Sequence, residues 1–479
     1  MDKLDEKVQK NRVTRLLTSH TALAFCYGIF LLLYEVKFLR ETVPVVHPFL
    51  IAWAGALAVY DVVVRKLWQK LPLWQLLAGF ALSVGVTALV NREAGLAANL
   101  KVWILTCLPL TAFLPLCLLE RKQRREKALL VALSGGAVVV LLASLVALVM
   151  YMLRMGVQLE LFGITHMVGF RYYIADDPAS GVLLYGFYTD TNHAAAYAVV
   201  FAFYSLWLLD ACRRGLFGRA VKVLAIVNLV VQACYFPLAN SRGGWLCLGV
   251  AAAICAFLYA FCTRLQVVGR LKRTALSIGC AVLTVVVLFA GLILLRSGLS
   301  LVSRAVNYTP PATGQGQQTE EQGQVSWGEQ GADTFEKTDD GFGAGRLLIW
   351  KECLELFTKN PVLGIGTGNS AYYAQRYDLG YRLREGDAMH NSFLDLLVDC
   401  GAVGFALLMG FFVVVAVWVL RKMGTEGMEK TAYLAAFCVV FLLGISAFLS
   451  CAFINTTAVY YLMLLFTGYL LAQQQKERP

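Results

Sequence analysis

Apolar runs recur along the chain, separated by short charged or polar stretches. Each holds about 17 to 24 residues, the length a helix rising 1.5 Å per residue needs to cross ~30 Å of hydrocarbon. They fall near 16–34, 45–64, 73–90, 100–119, 128–151, 192–209, 221–239, 243–262, 274–295, 402–420, 432–450 and 457–472. The pattern predicts an all-α integral membrane protein of about twelve transmembrane helices, and two long polar stretches, 152–191 and 297–389, interrupt the rhythm.

Composition agrees, because 58% hydrophobic and only 15% charged residues over 479 positions are too apolar for a water-soluble chain. The first apolar run is followed by no small-residue cleavage site and is read as an uncleaved helix. More than half of the 42 Lys and Arg residues collect in the segments of one side. These are the tail 1–15, the tail 473–479 and alternate short loops carrying Arg65-Lys66, Arg121-Lys-Gln-Arg-Arg125, Arg213-Arg214 and Arg270-Leu-Lys-Arg273. By the positive-inside rule these segments are cytoplasmic. The net charge of +11 therefore reports topology and contact with anionic lipid headgroups, and no nucleic-acid binding is expected. Most of the thirteen cysteines lie within apolar runs, and the five histidines are scattered, so neither a disulfide framework nor a metal site is expected.

With the termini inside, 152–191 (after the fifth helix) and 297–389 (between the ninth and tenth) face out, and function is sought there. Residues 309–345, rich in Gly, Gln, Glu and Asp, read as a disordered linker. In 346–357 the apolar residues return at helical spacing, predicting an amphipathic helix on the outer membrane surface. Gly364-Ile-Gly-Thr-Gly368 follows; no strand precedes it and no Lys-Ser/Thr closes it, so it reads as a tight turn and not as a nucleotide loop.

Three arrangements carry chemistry. His390-Asn391 stands where the polar stretch meets a hydrophobic helix, and Gly401-Ala-Val-Gly404 comes after nine intervening residues. A helix N-terminus disfavours the imidazolium form, which suits a neutral general base, although an interfacial histidine without a catalytic role has the same address. Asn391, Asp395 and Asp399 follow at i, i+4, i+8, placed to orient the histidine, to neutralise an arginine, or to mark a shallow helix in the interface. Arg242, in the short connection Asn240-Ser-Arg-Gly-Gly-Trp245, is an anion clamp or a snorkelling or capping residue. Arg346, at the start of the amphipathic helix, lies beside a positive dipole end, a conflict that a bound anion or a neighbouring Asp339 or Asp340 would resolve.

Taken in order, Ser241-Arg-Gly243, Arg346-Leu-Leu-Ile-Trp350, Pro361-Val-Leu-Gly-Ile-Gly366 and His390-Asn391-x9-Gly401-x-x-Gly404 resemble the O-antigen ligase family, whose relatives include O-antigen polymerases and membrane protein O-oligosaccharyltransferases. Gly186-Phe-Tyr-Thr-Asp-Thr-Asn192 is similar to the family's Gly-x-Phe-x-Asn-x-Asn stretch, with Asp190 in place of an Asn. The resemblance spans roughly residues 180–420. It implies a C-type glycosyltransferase architecture in the cytoplasmic membrane, an extracytoplasmic active site and no cofactor. The implied donor is a glycan on a polyprenyl pyrophosphate; the acceptor is a lipid, glycan or protein. His390 would take the acceptor proton. Arg242 and Arg346 would stabilise the departing pyrophosphate, with Arg171 or Arg382 assisting and Asn391, Asp395, Asp399, Ser241 and Asn192 in support. Ligase and polymerase share this machinery and differ in acceptor. A transporter also has about twelve helices, but should show two related halves and ionisable residues near the midplane.

Overall fold

A computed structural model describes residues 11–36, 39–40, 42–154, 157–161, 164–174, 177–188, 191–261, 268–306, 344–386, 389–425 and 458–474. Among these, eight helices are long and apolar enough to cross a membrane. Together with three shorter apolar helices they match every predicted span except that near 432–450, which lies outside the described residues, as do Asp190, Asp339, Asp340 and nearly all of the 309–345 segment. The chain is thus a multi-pass membrane protein. Its helices are α1 (His20–Tyr34), α2 (His47–Val63), α3 (Trp74–Val90), α4 (Leu96–Ala112) and α5 (Lys122–Met152). Next come α6 (Thr191–Arg213), α7 (Arg219–Ala239), α8 (Arg242–Tyr259) and α9 (Arg270–Val306). After the outer segment follow α10 (Ala344–Lys359), α11 (Ser370–Arg376), α12 (Tyr381–Arg384), α13 (Ser392–Thr425) and α14 (Ala458–Gln474).

The segment 152–191 departs from the all-α expectation. It holds a three-stranded antiparallel sheet, β1 (Val157–Leu161), β2 (Ile164–Ile174) and β3 (Asp177–Gly186), in sequential order. The sheet is seated on the bundle: Val168 and Leu184 are buried, and the Tyr235 hydroxyl of α7 donates to the Tyr185 carbonyl at 3.2 Å. Gly186 takes a φ of +60° against Ala147 of α5, where any side chain would collide.

Hydropathy does not separate helices that face lipid from those that face protein, and the structure does. α9 is the most apolar span, yet Val282, Leu283, Val286, Val287 and Leu294 are all exposed, as a lipid-facing helix requires. α14 is the reverse. From Ala458 to Ala472 it is buried on every side, and Tyr461 donates to the carbonyls of Ala24 (2.7 Å) and Ala132 (3.2 Å) in α1 and α5. Gly28 makes room for that tyrosine, since a Cβ there would lie 2.7 Å from its hydroxyl.

At the end of the bundle where the chain begins, His20 contacts Asp61 through Nε2 (2.6 Å) and the Ala112 carbonyl through Nδ1 (2.7 Å). Arg65 joins the other oxygen of Asp61 at 2.9 Å and the Thr18 carbonyl at 3.1 Å. A carboxylate this deeply buried requires such partners. Arg125, almost buried, donates to the Ala472 carbonyl and so closes the C-terminal turn of α14 at the same end.

α13 is broken. Gly401 sits at φ 65°, ψ −178°, outside helical space, so Ser392–Cys400 is a separate short helix before the span proper. Such a break orphans carbonyls on one side and amides on the other. The Pro361–Gly366 strap supplies both. Ile365 and Gly366 donate to Val398 and Asp399 (3.1 and 2.9 Å), while Ala402 and Val403 donate to Pro361 and Val362 (2.8 and 3.2 Å). Glycine is demanded on both partners: a Cβ on Gly364 would lie 2.5 Å from the Asp399 carbonyl oxygen, and one on Gly401 would strike the Val362 carbonyl. Gly404 faces Ser83 of α3, and a Cβ there would lie 2.5 Å from that of Cys400. The Gly401-x-x-Gly404 part of the motif therefore builds the break and its packing.

Gly401→Ala is expected to destabilise the protein by about 1–3 kcal/mol from backbone strain alone, since this region is almost exclusive to glycine. Gly410→Ala, in the same helix with nothing within 4 Å of its Cβ, is the control and should leave stability unchanged. Thermal unfolding in detergent compares them; equal midpoints would remove the strap account.

Candidate functional site

Because successive helices run antiparallel, the candidate residues gather at one end of the bundle, opposite the His20–Asp61–Arg65 cluster. Asn192, Ser241–Arg242 and His390–Asn391 lie at the N-termini of α6, α8 and the broken α13, while Arg171 is in β2, Arg346 in α10 and Arg382 in α12. They form two internally bonded sets.

The first set is built on the turn between α7 and α8. Asn240 ends α7 in the left-handed conformation (φ 50°), which Asn tolerates better than most residues, and its Oδ1 accepts from Arg296 of α9 at 3.1 Å. Ser241 is the N-cap of α8: its Oγ accepts from the Gly244 amide at 3.0 Å and donates to Asn192 Oδ1 at 2.6 Å. Two predicted residues far apart in sequence, Ser241 and Asn192, are thus in direct contact. Gly244 allows it, since a Cβ there would lie 2.8 Å from that of Ala195. Arg242 is the first residue of α8 and its side chain is exposed. Arg171 lies in β2, where its backbone pairs with Leu183.

The second set surrounds His390. This residue takes a φ of +50°, and Asn391 then caps the short helix, its Oδ1 accepting from Phe393 (3.1 Å) and Leu394 (3.3 Å). Capping is a role the motif's Asn fills regardless of chemistry. Asp395 and Asp399 are both buried, one turn apart on that helix. Trp350 of α10 donates to the Met389 carbonyl at 3.1 Å and so anchors the residue just before His390. Arg346 stands one helical turn earlier on the same face as Trp350, which explains the Arg-x-x-x-Trp spacing. Arg382 lies on α12, which is tied to α10 by the Leu383 amide donating to Glu352 at 2.9 Å.

α10 does not present its whole apolar face to a membrane surface as expected. Ile349, Cys353 and Leu356 are buried in a second hydrophobic core with Ile365, Tyr373, Leu383, Met389 and Val398, while Leu347, Leu348 and Leu354 remain exposed. Burial pushes the Cys353 thiol up to about 12, helped by the nearby Asp395, Asp399 and Glu352 charges, so it stays protonated and inert.

Sequence reasoning missed the polar network that docks this second core on the bundle. Thr87 donates to the Leu363 carbonyl (2.6 Å), and Asn91 donates to that of Gly364 (3.2 Å). Tyr373 donates to Asn91 Oδ1 (2.6 Å), and Asn369 donates to Asn99 Oδ1 (3.0 Å). These asparagines are buried, and the only local signal was amides at the ends of apolar helices. Burial raises the Tyr373 hydroxyl above its ordinary range.

It also missed Glu35 and His193. Glu35 follows α1 directly; its Oε2 meets His193 Nδ1 at 3.1 Å and its Oε1 accepts from Tyr197 at 3.0 Å. Burial alone would raise this carboxyl, but the His193 hydrogen bond and charge, the Tyr197 hydroxyl and the Arg40 charge prevail and hold it below the usual glutamate range. Among the described residues no three His, Cys, Asp or Glu side chains cluster as metal ligands.

With this geometry in view, residues 227–409 match the family model described as O-antigen ligase. The match supports the O-antigen ligase family. It contains Ser241, Arg242, Arg346, His390, Asn391, Gly401 and Gly404, and it leaves Asn192, His193 and Glu35 outside. No curated protein matches the chain.

Tyr373→Phe leaves the Asn91 acceptor buried and unpaired and should cost about 1–3 kcal/mol. Glu93→Gln removes an exposed ion pair with Arg376 and should change nothing measurable. Limited proteolysis of the 344–389 segment reads both; equal cleavage rates would mean the network does not hold the second core.

Proposed function

We propose that this protein is a membrane glycosyltransferase of the O-antigen ligase type. It moves a glycan from a polyprenyl-pyrophosphate donor to an acceptor hydroxyl on the extracytoplasmic face of the cytoplasmic membrane, with both termini cytoplasmic. The observation that supports this most is His390 held just before the capped short helix of a broken span, inside the stretch that matches the family model. His390 takes the proton from the acceptor hydroxyl as its oxygen attacks the anomeric carbon. The bond from that carbon to the pyrophosphate oxygen breaks, and Arg242 and Arg346 stabilise the charge that develops, since a guanidinium pairs with phosphate oxygens in bidentate fashion. Metal is not required on this reading, and the activated pyrophosphate linkage supplies the driving force. Direct displacement inverts the anomeric centre. Asp395 and Asp399 support His390 or an arginine; Arg171 or Arg382 assists.

The same chemistry serves a repeat-unit polymerase, in which the acceptor is another lipid-linked glycan. A transporter is a distant alternative, because the polar candidates lie at one end of the bundle and not near its middle.

The test is complementation of a strain lacking this protein with wild type, His390→Ala or Arg242→Ala, followed by analysis of surface glycan and lipid-linked intermediates. Each variant, present in the membrane at wild-type level, should lower transfer at least about a hundredfold, the usual worth of a general base or a charge-stabilising donor. Accumulation of long lipid-linked chains points to a ligase, and of single repeat units to a polymerase. Wild-type transfer by His390→Ala would overturn the assignment of the base and reopen the transporter reading.

A further inference from the structure

Arg296 has no part in the mechanism above, and membrane topology does not account for it. It stands near the end of α9 that the proposed orientation turns outward, where the positive-inside rule leaves few cations. It is also far from any acid in the chain. Between Asp210 and Glu320 the sequence holds no Asp or Glu, so α7, α8 and α9 carry none. α9 packs on α7, α8 and α5, and the one acid of α5, Glu126, lies in that helix's first turns at the opposite end of the bundle. Among the described residues no carboxylate pairs with Arg296, and its one hydrogen-bond partner is a neutral oxygen, Asn240 Oδ1, at 3.1 Å.

That bond fixes where the guanidinium sits. Asn240 ends α7 in the left-handed conformation and immediately precedes Ser241, the N-cap of α8 that is bonded to Asn192. The half-buried Arg296 is thus drawn onto the turn that carries the Ser-Arg-Gly motif, with one of its five N–H donors engaged. A snorkelling arginine extends along its own helix to the headgroups; this one reaches across to a neighbouring helix end. Deeper in the bundle the same three helices meet through aromatic rings. Trp245 of α8 lies 5.2 Å from Phe236 of α7 and 5.0 Å from Phe289 of α9, centroid to centroid. Ile293 and Leu294, within one turn of Arg296, are exposed on the lipid-facing helix. A cation without a carboxylate, set above an apolar wall at the edge of the bilayer, complements an amphiphile with an anionic head and a hydrocarbon tail.

We infer that Arg296, held at the turn by Asn240, is a further phosphate-binding residue for the polyprenyl-pyrophosphate donor and contacts it from the lipid-facing side of the bundle. The inference rests on the proposed glycosyl transfer and names the side from which its donor is held. Asn240 serves as a neutral anchor: it orients the guanidinium without cancelling the charge that the phosphates require.

The experiment uses full-length protein in detergent with farnesyl pyrophosphate as probe. Arg296→Gln should bind it at least roughly tenfold more weakly, the worth of one charge-assisted hydrogen bond. Arg296→Lys, which keeps the charge but loses the planar fork, should fall between that variant and wild type. Arg304→Gln removes an exposed arginine from the same helix and should bind as wild type does. Asn240→Asp separates phosphate binding from a structural clip, because Asp also tolerates the left-handed backbone and gives Arg296 a carboxylate partner. Its thermal midpoint should hold or rise while its affinity for the probe falls about as far as that of Arg296→Gln; wild-type affinity in Asn240→Asp would overturn the inference. Inorganic pyrophosphate should displace the probe, and phosphatidylglycerol added to the micelles at equal phosphate should not. The reverse order would make Arg296 an ordinary headgroup contact and overturn the site. Monodisperse Arg296→Gln with wild-type affinity, beside a wild type that binds the probe and transfers glycan, would sink this inference alone. A wild type that neither binds the probe nor transfers glycan would remove the functional reading with it.

Discussion

Four backbone hydrogen bonds between the Pro361–Gly366 strap and the break in α13 hold the candidate site together. Each is individually modest, with a net worth of about 0.5–1.5 kcal/mol. Their weight comes from the alternative, in which buried carbonyls at Val398 and Asp399 and amides at Ala402 and Val403 would have no partner where the helix stops. The break, in turn, gives the short helix Ser392–Cys400 its own N-terminus, and His390 its place just before the cap. A side chain at 401 would be held in backbone space almost exclusive to glycine and would strike the Val362 carbonyl, so the mounting of the histidine depends on that glycine.

The strap is itself fixed from outside. Thr87 and Asn91 at the end of α3 bond its carbonyls, and Asn369 and Tyr373 extend the same network through Asn99 and Asn91. Trp350 then ties α10 to the residue preceding His390. A chain of contacts thus runs from the ends of α3 and α4, through the second hydrophobic core, to the candidate base. Rigid mounting of this kind is what positions a reacting group to within fractions of an ångström.

How far this was legible from sequence depended on whether the signal was local. Span positions followed from the length of apolar runs, and α2, α3, α6, α7 and α8 lie within four residues of where hydropathy put them, while α4 and α5 differ by six or seven at one end. Local motifs also survived: Ser241 and Asn391 proved to be N-caps, and the glycines of 364–368 take left-handed backbone angles. The sheet at 157–186 was missed although β1, Val157-Gln-Leu-Glu-Leu161, alternates, because five residues are a short signal and β2 and β3 carry Gly169, Pro178 and Gly181 with no sustained alternation. The Asn91 network and the Glu35–His193 pair were missed for another reason. Their partners lie far apart in the chain, and nothing in one sequence ties a glutamate after the first helix to a histidine in the sixth. Hydropathy also ranked α9 as the most membrane-like helix and said nothing of α14 being the innermost, since lipid and protein interior are equally apolar solvents.

That inner position of α14 bears on how the molecule is put together. Its residues, 458 to 474, emerge from synthesis after every helix that encloses them, so the earlier spans enter the bilayer around an axis still unfilled. The Tyr461 acceptors on α1 and α5, the Arg125 donor to Ala472 and the pocket beside Gly28 are all laid down before their partner exists. The helix at the centre of the packing is therefore made after those around it, and its arrival supplies the partners that their inward-facing polar groups lack until then.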